Sequence, residues 1–271
     1  MTSEQSDCVI FKSTPLQGIM APEYFELANA DHFWCRRRFE VLKLLGGDIL
    51  RSATQPAEIG CGNGVLMQQI ENTYNLAVVG FDLHEAALRR TLSRSRSVYC
   101  YDIHQKDEEF ERRFDVILLF DVLEHINDEH EFLESVKYHL SAGGYLIVNV
   151  PALQWLFSPY DRIQGHYRRY SIQALEYLAR RSGFEIIKTT YWGAPLVPVA
   201  AIRKLTLSLR KTDAATYAKG FDPGSSTINQ LLMKLSRLET LPQNWIGTSV
   251  MAVLRMRERQ ETASLERTKI T

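Results

Sequence analysis

The chain is poor in cysteine, carries no surplus of either charge, and contains no long apolar run. Its four cysteines, Cys8, Cys35, Cys61 and Cys100, form no C-x-x-C pair and no zinc-type spacing. Such scattered thiols read as reduced and mostly buried, and no metal site is expected from the sequence. Lys+Arg and Asp+Glu are equal at 32 each, so no overall field draws in a polyanion, and nucleic acid is not expected as a partner. No run of roughly 18 apolar residues occurs, which argues against a spanning helix. The opening stretch, Met1 to Asp7, has neither the basic nor the apolar region of a signal peptide. A cytoplasmic protein is the expectation.

What is present reads as an ordinary globular chain: 45% apolar and 24% charged residues are enough to build a core and keep a solvated surface. Residues 1–20 read as a flexible leader, 21–256 as one domain, and 257–271 as a polar tail with little to bury. Within the domain, 21–47 read as a helical lid, with a helix from His32 to Leu45 that stops at Gly46-Gly47. Strand-like and helix-like segments then alternate. The strands are Pro56 to Gly60, Leu76 to Asp82, Ser97 to Tyr101, Phe114 to Phe120, Tyr145 to Val150, Phe184 to Trp192 and Gly247 to Met256. Near-continuous apolar strands joined by helices predict a doubly wound, mostly parallel seven-stranded α/β sheet. Residues 193–245 read as a helical insertion before the last strand. Its apolar-then-basic run from Leu196 to Lys211 suits either a helix packed on the core or a peripheral membrane contact.

The most informative stretch is Ala57-Glu58-Ile59-Gly60-Cys61-Gly62-Asn63-Gly64. Glycines in alternation after a short strand let a ligand lie against the backbone at the strand's carboxyl end. The dinucleotide fingerprint G-x-G-x-x-G is missed, because Val65 stands where its third glycine belongs. A nucleotide-dependent oxidoreductase is therefore disfavoured.

This acidic-x-G-x-G-x-G arrangement resembles motif I of the class I S-adenosylmethionine-dependent methyltransferases. The resemblance runs from about Gln55 to Val150 and includes Asp121-Val122-Leu123-Glu124-His125-Ile126, similar to the broad small-molecule methyltransferase-domain group. It implies a Rossmann-like fold with S-adenosyl-L-methionine as cofactor. Glu58 is then expected near the methionine ammonium, with Gly60, Cys61, Gly62 and Gly64 leaving room for methionine and ribose. Asp82, with Leu83 beside it, is expected at the ribose hydroxyls, and Asp102 and Ile103 at the adenine. Phe120 and Asp121 are expected to contact the cofactor from the end of their strand.

Catalytic residues are harder to read, because the cofactor supplies the reactivity and the protein mainly aligns the acceptor. His125 is one candidate. The loop from Tyr160 to Ser171 holds two more, His166 and Tyr167, among arginines suited to an anionic or sugar-like acceptor. Asp161 is expected to pair with Arg168 or Arg169, and Ser171 to cap the next helix. Arg36 to Arg38 read as a solvated face. The leading expectation is a methyltransferase acting on a small-molecule or glycan acceptor at oxygen. A quinone or other prenylated acceptor would account for the apolar insertion, and a non-catalytic module that only binds the cofactor is the rival of another class.

Overall fold

The computed structural model describes residues 9–16, 29–93, 98–209 and 224–257. The first described element is a short strand, β1 (Val9–Phe11), followed after an interval by the long helix α1 (Phe33–Ser52). Then come β2 (Pro56–Ile59), α2 (Val65–Tyr74), β3 (Val79–Asp82), the single turn α3 (Glu85–Leu88) and β4 (Val98–Cys100). β5 (Phe114–Phe120), α4 (Glu129–His139) and β6 (Leu140–Pro151) follow, with the short α5 (Pro159–Ile163) and α6 (Ile172–Arg181) after them. The chain continues through β7 (Phe184–Trp192), α7 (Val197–Leu209), α8 (Ser226–Ser236) and β8 (Ser249–Met256).

The strands form one sheet of order β1-β4-β3-β2-β5-β6-β8-β7. All pairings are parallel except those of β8, which runs antiparallel to both β6 and β7. The doubly wound α/β expectation therefore holds, with eight strands rather than seven. The extra strand lies in the stretch read as a leader: Val9, Ile10 and Phe11 pair with Val98, Tyr99 and Cys100. Three residues are too few to carry a readable alternation, and the pairing partner is remote in sequence. The order reverses direction between β2 and β5, and in such sheets a crevice opens at the carboxyl ends of the two diverging strands.

Both faces of the sheet are buried. In β5, Ile117 and Leu119 join the cluster of Phe81, Tyr101, Phe110 and Phe132 on one face. Val116, Leu118 and Phe120 join Leu42, Leu66, Met67 and Trp192 on the other. Successive residues of a strand point to opposite faces, so covering both faces requires the continuous apolar run seen in β5.

Helix α1 does not stop at Gly46-Gly47; it continues through both to Ser52. Both glycines are buried, and a Cβ on Gly46 would lie 2.8 Å from Cδ1 of Ile147 in β6. Here the small residues let a helix approach the sheet closely, so packing overrides the local stop signal. The inserted helices are also present, with α8 docked on α1: the Phe33 amide donates to Asn229 Oδ1 at 2.8 Å and Arg37 pairs with Glu239 at 3.0 Å. Residue 210–223 expectations, including the basic pair Arg210 and Lys211, lie outside the described residues, as do Cys8, the 21–28 part of the lid and the tail beyond 257. No helix among the described residues is long and apolar enough to cross a membrane.

Gly247, just before β8, sits against the end of β7, where an added Cβ would lie 2.4 Å from the carbonyl oxygen of Trp192 and 2.7 Å from its nitrogen. Backbone cannot rotate away as a side chain can. Gly247→Ala should destabilise the fold by about 1–3 kcal/mol, the scale of overpacking, read as a lowered urea midpoint. An unchanged midpoint would show that this junction yields freely.

Candidate active site

A cavity of about 490 Å³ opens at the carboxyl ends of β2, β3, β4 and β5, within the roughly 300–1,000 Å³ range of small-molecule sites. Glu58, Gly60, Cys61, Gly62, Asp82, Leu83, Asp102, Ile103, Phe120, Asp121, His125 and Tyr167 all line it. Gly64 and His166 do not. Gly64 starts α2 in the left-handed conformation and faces Thr91, whose Oγ1 would stand 2.7 Å from an added Cβ. His166 lies behind His125, with ring centroids 4.6 Å apart and planes at 89°.

The floor is the glycine turn. Gly60 adopts φ +74°, and a Cβ there would lie 2.4 Å from Cγ2 of Val122, so no other residue fits without displacement. The amides of Gly60 and Cys61 both donate to the carbonyl of Phe81, at 2.7 and 3.0 Å, tying the turn to β3. The Gly62 amide donates to Asp82 Oδ2 at 2.8 Å. The other oxygen of Asp82 accepts the His84 amide at 2.8 Å and meets its ring nitrogen at 3.0 Å. Asp82 therefore organises the loop after β3 while keeping oxygen lone pairs at the cavity wall. Asp102 likewise caps the turn that follows it, accepting from the His104 amide at 3.0 Å.

Asp121 is held more tightly than sequence reasoning anticipated. It takes φ +56°, a conformation that costs a non-glycine residue about 1–3 kcal/mol unless its surroundings enforce it. They do. Its amide donates to the carbonyl of Asn149 at 2.8 Å, and Oδ1 accepts from the Asn149 side chain at 2.8 Å. Asn149 Oδ1 in turn accepts from the indole of Trp192 at 2.8 Å, while Arg38 pairs with Asp121 Oδ2 at 2.6 Å. Arg37 and Arg38 are thus turned inward, and of the basic run only Arg36 is exposed. Arg38 was legible only as a charge. Its direction is set by the helix face that Cys35, Phe39 and Leu42 bury.

Four carboxylates, Glu58, Asp82, Asp102 and Asp121, line the cavity, and Arg38 is the one arginine or lysine among its described lining residues. Glu58 is 3% exposed, and its Oε2 has no hydrogen-bond partner. Burial pushes its carboxyl up to about 8; Arg38 opposes that shift, and Asp82 and Asp121 add to it. A buried acid with one unsatisfied oxygen, set among other acids, is chemically matched to a positively charged ligand group. The residues present fit S-adenosylmethionine in that sense: a glycine cradle, a buried carboxyl with an unsatisfied oxygen for a cationic end, acids for hydroxyls and amine, and apolar Leu83, Tyr101 and Ile103 for a ring.

The second wall is built from the loop after β5 and the loop before α6. The Tyr167 amide donates to the carbonyl of Glu124 at 2.8 Å, joining the two. Burial, with His166 and His84 nearby, holds the His125 imidazole down at about 4, so the ring is neutral at pH 7. Asp161 is fully buried; burial alone would raise its carboxyl, but His166, Arg169 and Ser158 together hold it down at about 2. It pairs with Arg169 at 2.8 Å and with His166 Nδ1 at 3.1 Å. Arg168 pairs instead with Glu129. Ser171 caps α6 as expected, accepting from the Ala174 amide at 3.1 Å.

A family described as methyltransferase domain matches residues 36–189, more than half of the chain. The chain belongs to the methyltransferase-domain family. Its class I resemblance is thereby shown: it is an enzyme, and its cofactor is S-adenosylmethionine. Among curated relatives, a malonyl-[acyl-carrier protein] O-methyltransferase of Bacillus anthracis is 29% identical over 101 residues, spanning 35% of this chain and only 37% of that protein. A trans-aconitate 2-methyltransferase of Deinococcus radiodurans is 25% identical over 200 residues, 70% of this chain and 74% of the relative. Among solved structures, phosphoethanolamine N-methyltransferase 2 of Haemonchus contortus, in complex with S-adenosyl-L-methionine, superposes with a TM-score of 0.56 at 17% identity, covering 89% of this chain and 61% of that one. That likeness is one of fold.

If Glu58 meets the methionine ammonium, its carboxyl must ionise on binding. Calorimetry at pH 7 in buffers of different ionisation enthalpy should then report release of up to about one proton per cofactor bound. Glu58→Gln should abolish the buffer dependence. A dependence that survives the substitution would place the proton elsewhere.

Proposed function

We propose that this methyltransferase acts on a small-molecule or glycan acceptor at oxygen, with Glu58, Asp82 and Asp102 binding the cofactor and His125, His166 and Tyr167 forming the acceptor side. The observation that carries the reading is the placement of His125 and Tyr167 together on the wall of the acid-lined cavity, with His166 packed behind His125. When bound, the cofactor supplies an electrophilic methyl group, and the protein's task is alignment. Glu58 attracts the ammonium, and the backbone of Gly60, Cys61 and Gly62 lies along the methionine and ribose. Asp82 accepts from the ribose hydroxyls with the lone pairs left by Gly62 and His84, and Leu83 covers the sugar. Asp102 and Ile103 hold the adenine, and Phe120 and Asp121 close the strand-end side. Gly64, away from the cavity, fixes the start of α2.

On the acceptor side, a neutral His125 offers a nitrogen lone pair and one N–H at the cavity wall. His166, gripped by Asp161, has its orientation set as a carboxylate sets a working imidazole. Tyr167 is 57% exposed and adds a phenol at the mouth. An oxygen acceptor suits these groups because its proton must be received as the bond forms.

A lipid-like or prenylated acceptor is the second reading, favoured by Ile202 and Leu205 of α7, which are 64% and 61% exposed. Neither inserted helix lines the cavity, so this reading makes them a docking surface for the acceptor's tail or for a membrane face.

Cell extract incubated with a deuterated methyl donor, followed by untargeted mass spectrometry, tests both. Label on the oxygen of a small molecule or glycan supports the first reading, and label on a prenylated compound the second. Label on RNA or protein would overturn both. For the residues, Asp82→Ala should weaken cofactor binding by about 1.5–3 kcal/mol, the range for hydrogen bonds to a charged group. An unchanged dissociation constant would remove Asp82 from the site. His166→Ala should keep cofactor affinity and lose turnover; full activity would take it off the acceptor side.

A further inference from the structure

The geometry points to a divalent transition-metal site formed by Glu124, His125 and His166, placed to hold an acceptor oxygen beside the cofactor. One ligand atom from each residue lies within 4.8 Å of the other two. This set differs from the expectation of no metal drawn from the cysteines, and it deepens the oxygen-acceptor reading, on which it rests. Spacing along the chain hides it, because His166 comes from a different loop, brought over by the Tyr167 to Glu124 backbone hydrogen bond.

Three observations carry the inference. Glu124 is 1% exposed, yet its Oε2 has no hydrogen-bond partner. An ionisable oxygen removed from water without a partner is costly, and a cation is the partner that would offset this best. His166 already has the support that metal-bound imidazoles usually have: its Nδ1 meets the buried Asp161 at 3.1 Å, which fixes the ring and leaves its other nitrogen to bind. Asp161 is itself anchored by the Ser158 amide at 2.8 Å and by Arg169 Nε at 2.8 Å, so the support is rigid.

Two imidazoles and one carboxylate suit a first-row transition ion better than magnesium or calcium, which favour all-oxygen sets. Three protein ligands also leave coordination positions open, as in catalytic rather than structural sites. His125 lines the cavity, so the open positions would be reached from the side where the acceptor enters. There an ion would orient an acceptor hydroxyl or carboxylate and draw electron density from it. Metal–ligand distances of about 2.0–2.2 Å mean that binding would pull the three side chains closer together.

The test uses the full chain, stripped with chelator and titrated with MnCl2 under electron paramagnetic resonance. Loss of the free-ion signal should saturate at about one ion per chain, and pulsed spectra should show coupling to imidazole nitrogen. Glu124→Gln and His166→Ala should each weaken manganese by more than roughly tenfold, since even outer-shell partners act on that scale. S-adenosylhomocysteine affinity, measured on every variant, checks that the fold is intact. Absence of saturable binding, absence of nitrogen coupling, or manganese affinity unchanged in both variants would overturn the inference. Wild-type protein that binds S-adenosylhomocysteine but no ion would sink the metal site alone. Protein that binds the ion but not S-adenosylhomocysteine would sink the methyl-transfer reading instead.

Discussion

Asp121 is the joint on which the site depends. Its carboxylate meets Arg38 from α1 and Asn149 from β6, and Asn149 passes the connection to Trp192 at the end of β7. Trp192 in turn packs on Trp34 of α1, with ring centroids 4.4 Å apart. The chain of contacts closes into a ring that ties the long helix to three strands. Such buried polar networks are stable only when every member is satisfied. Here that requirement also enforces the unusual backbone of Asp121, which aims the loop carrying Glu124 and His125. Packing, strain and the candidate chemistry are therefore parts of one arrangement.

The balance of charge in the cavity has a similar double role. Four acids around one arginine would repel one another if all were ionised in a low-dielectric space. The fold answers by different means at each position. Asp82 is satisfied by the Gly62 amide and His84, Asp121 by Arg38 and Asn149, and Glu58 by staying protonated near neutral pH. The acid left with an unsatisfied oxygen is thus one buried beside the glycine cradle. A positive ligand would complete the set, which links selection for a cationic cofactor to the electrostatics of the empty protein.

The legible parts of this molecule are those written locally. The glycine turn, the acids at the ends of β2, β3 and β5, and the apolar run of β5 are each written in a few consecutive residues, and they map directly onto strand ends. The illegible parts are set by contacts between remote segments. β1 forms because Val98 to Cys100 offers an edge, and α1 ignores two glycines because Ile147 packs against them. Arg37 and Arg38 turn inward because their partners, Glu239 and Asp121, arrive from elsewhere in the chain. The loop holding His166 could be recognised by composition. That its histidine would stand behind His125, held by Asp161, could not.

The position of β8 has a consequence for how the protein is made. Among the described strands β7 lies at the sheet's margin, where it pairs with β8. During synthesis Phe184 to Trp192 leaves the ribosome well before Ser249 to Met256, the strand with which it pairs. An unpaired, largely apolar ribbon is the kind of nascent surface that invites wrong associations. Because Trp192 belongs to the Asp121 ring, the packing that supports the cavity is also completed only then. Competence for ligand binding should therefore emerge late in translation, in step with the closing of the sheet.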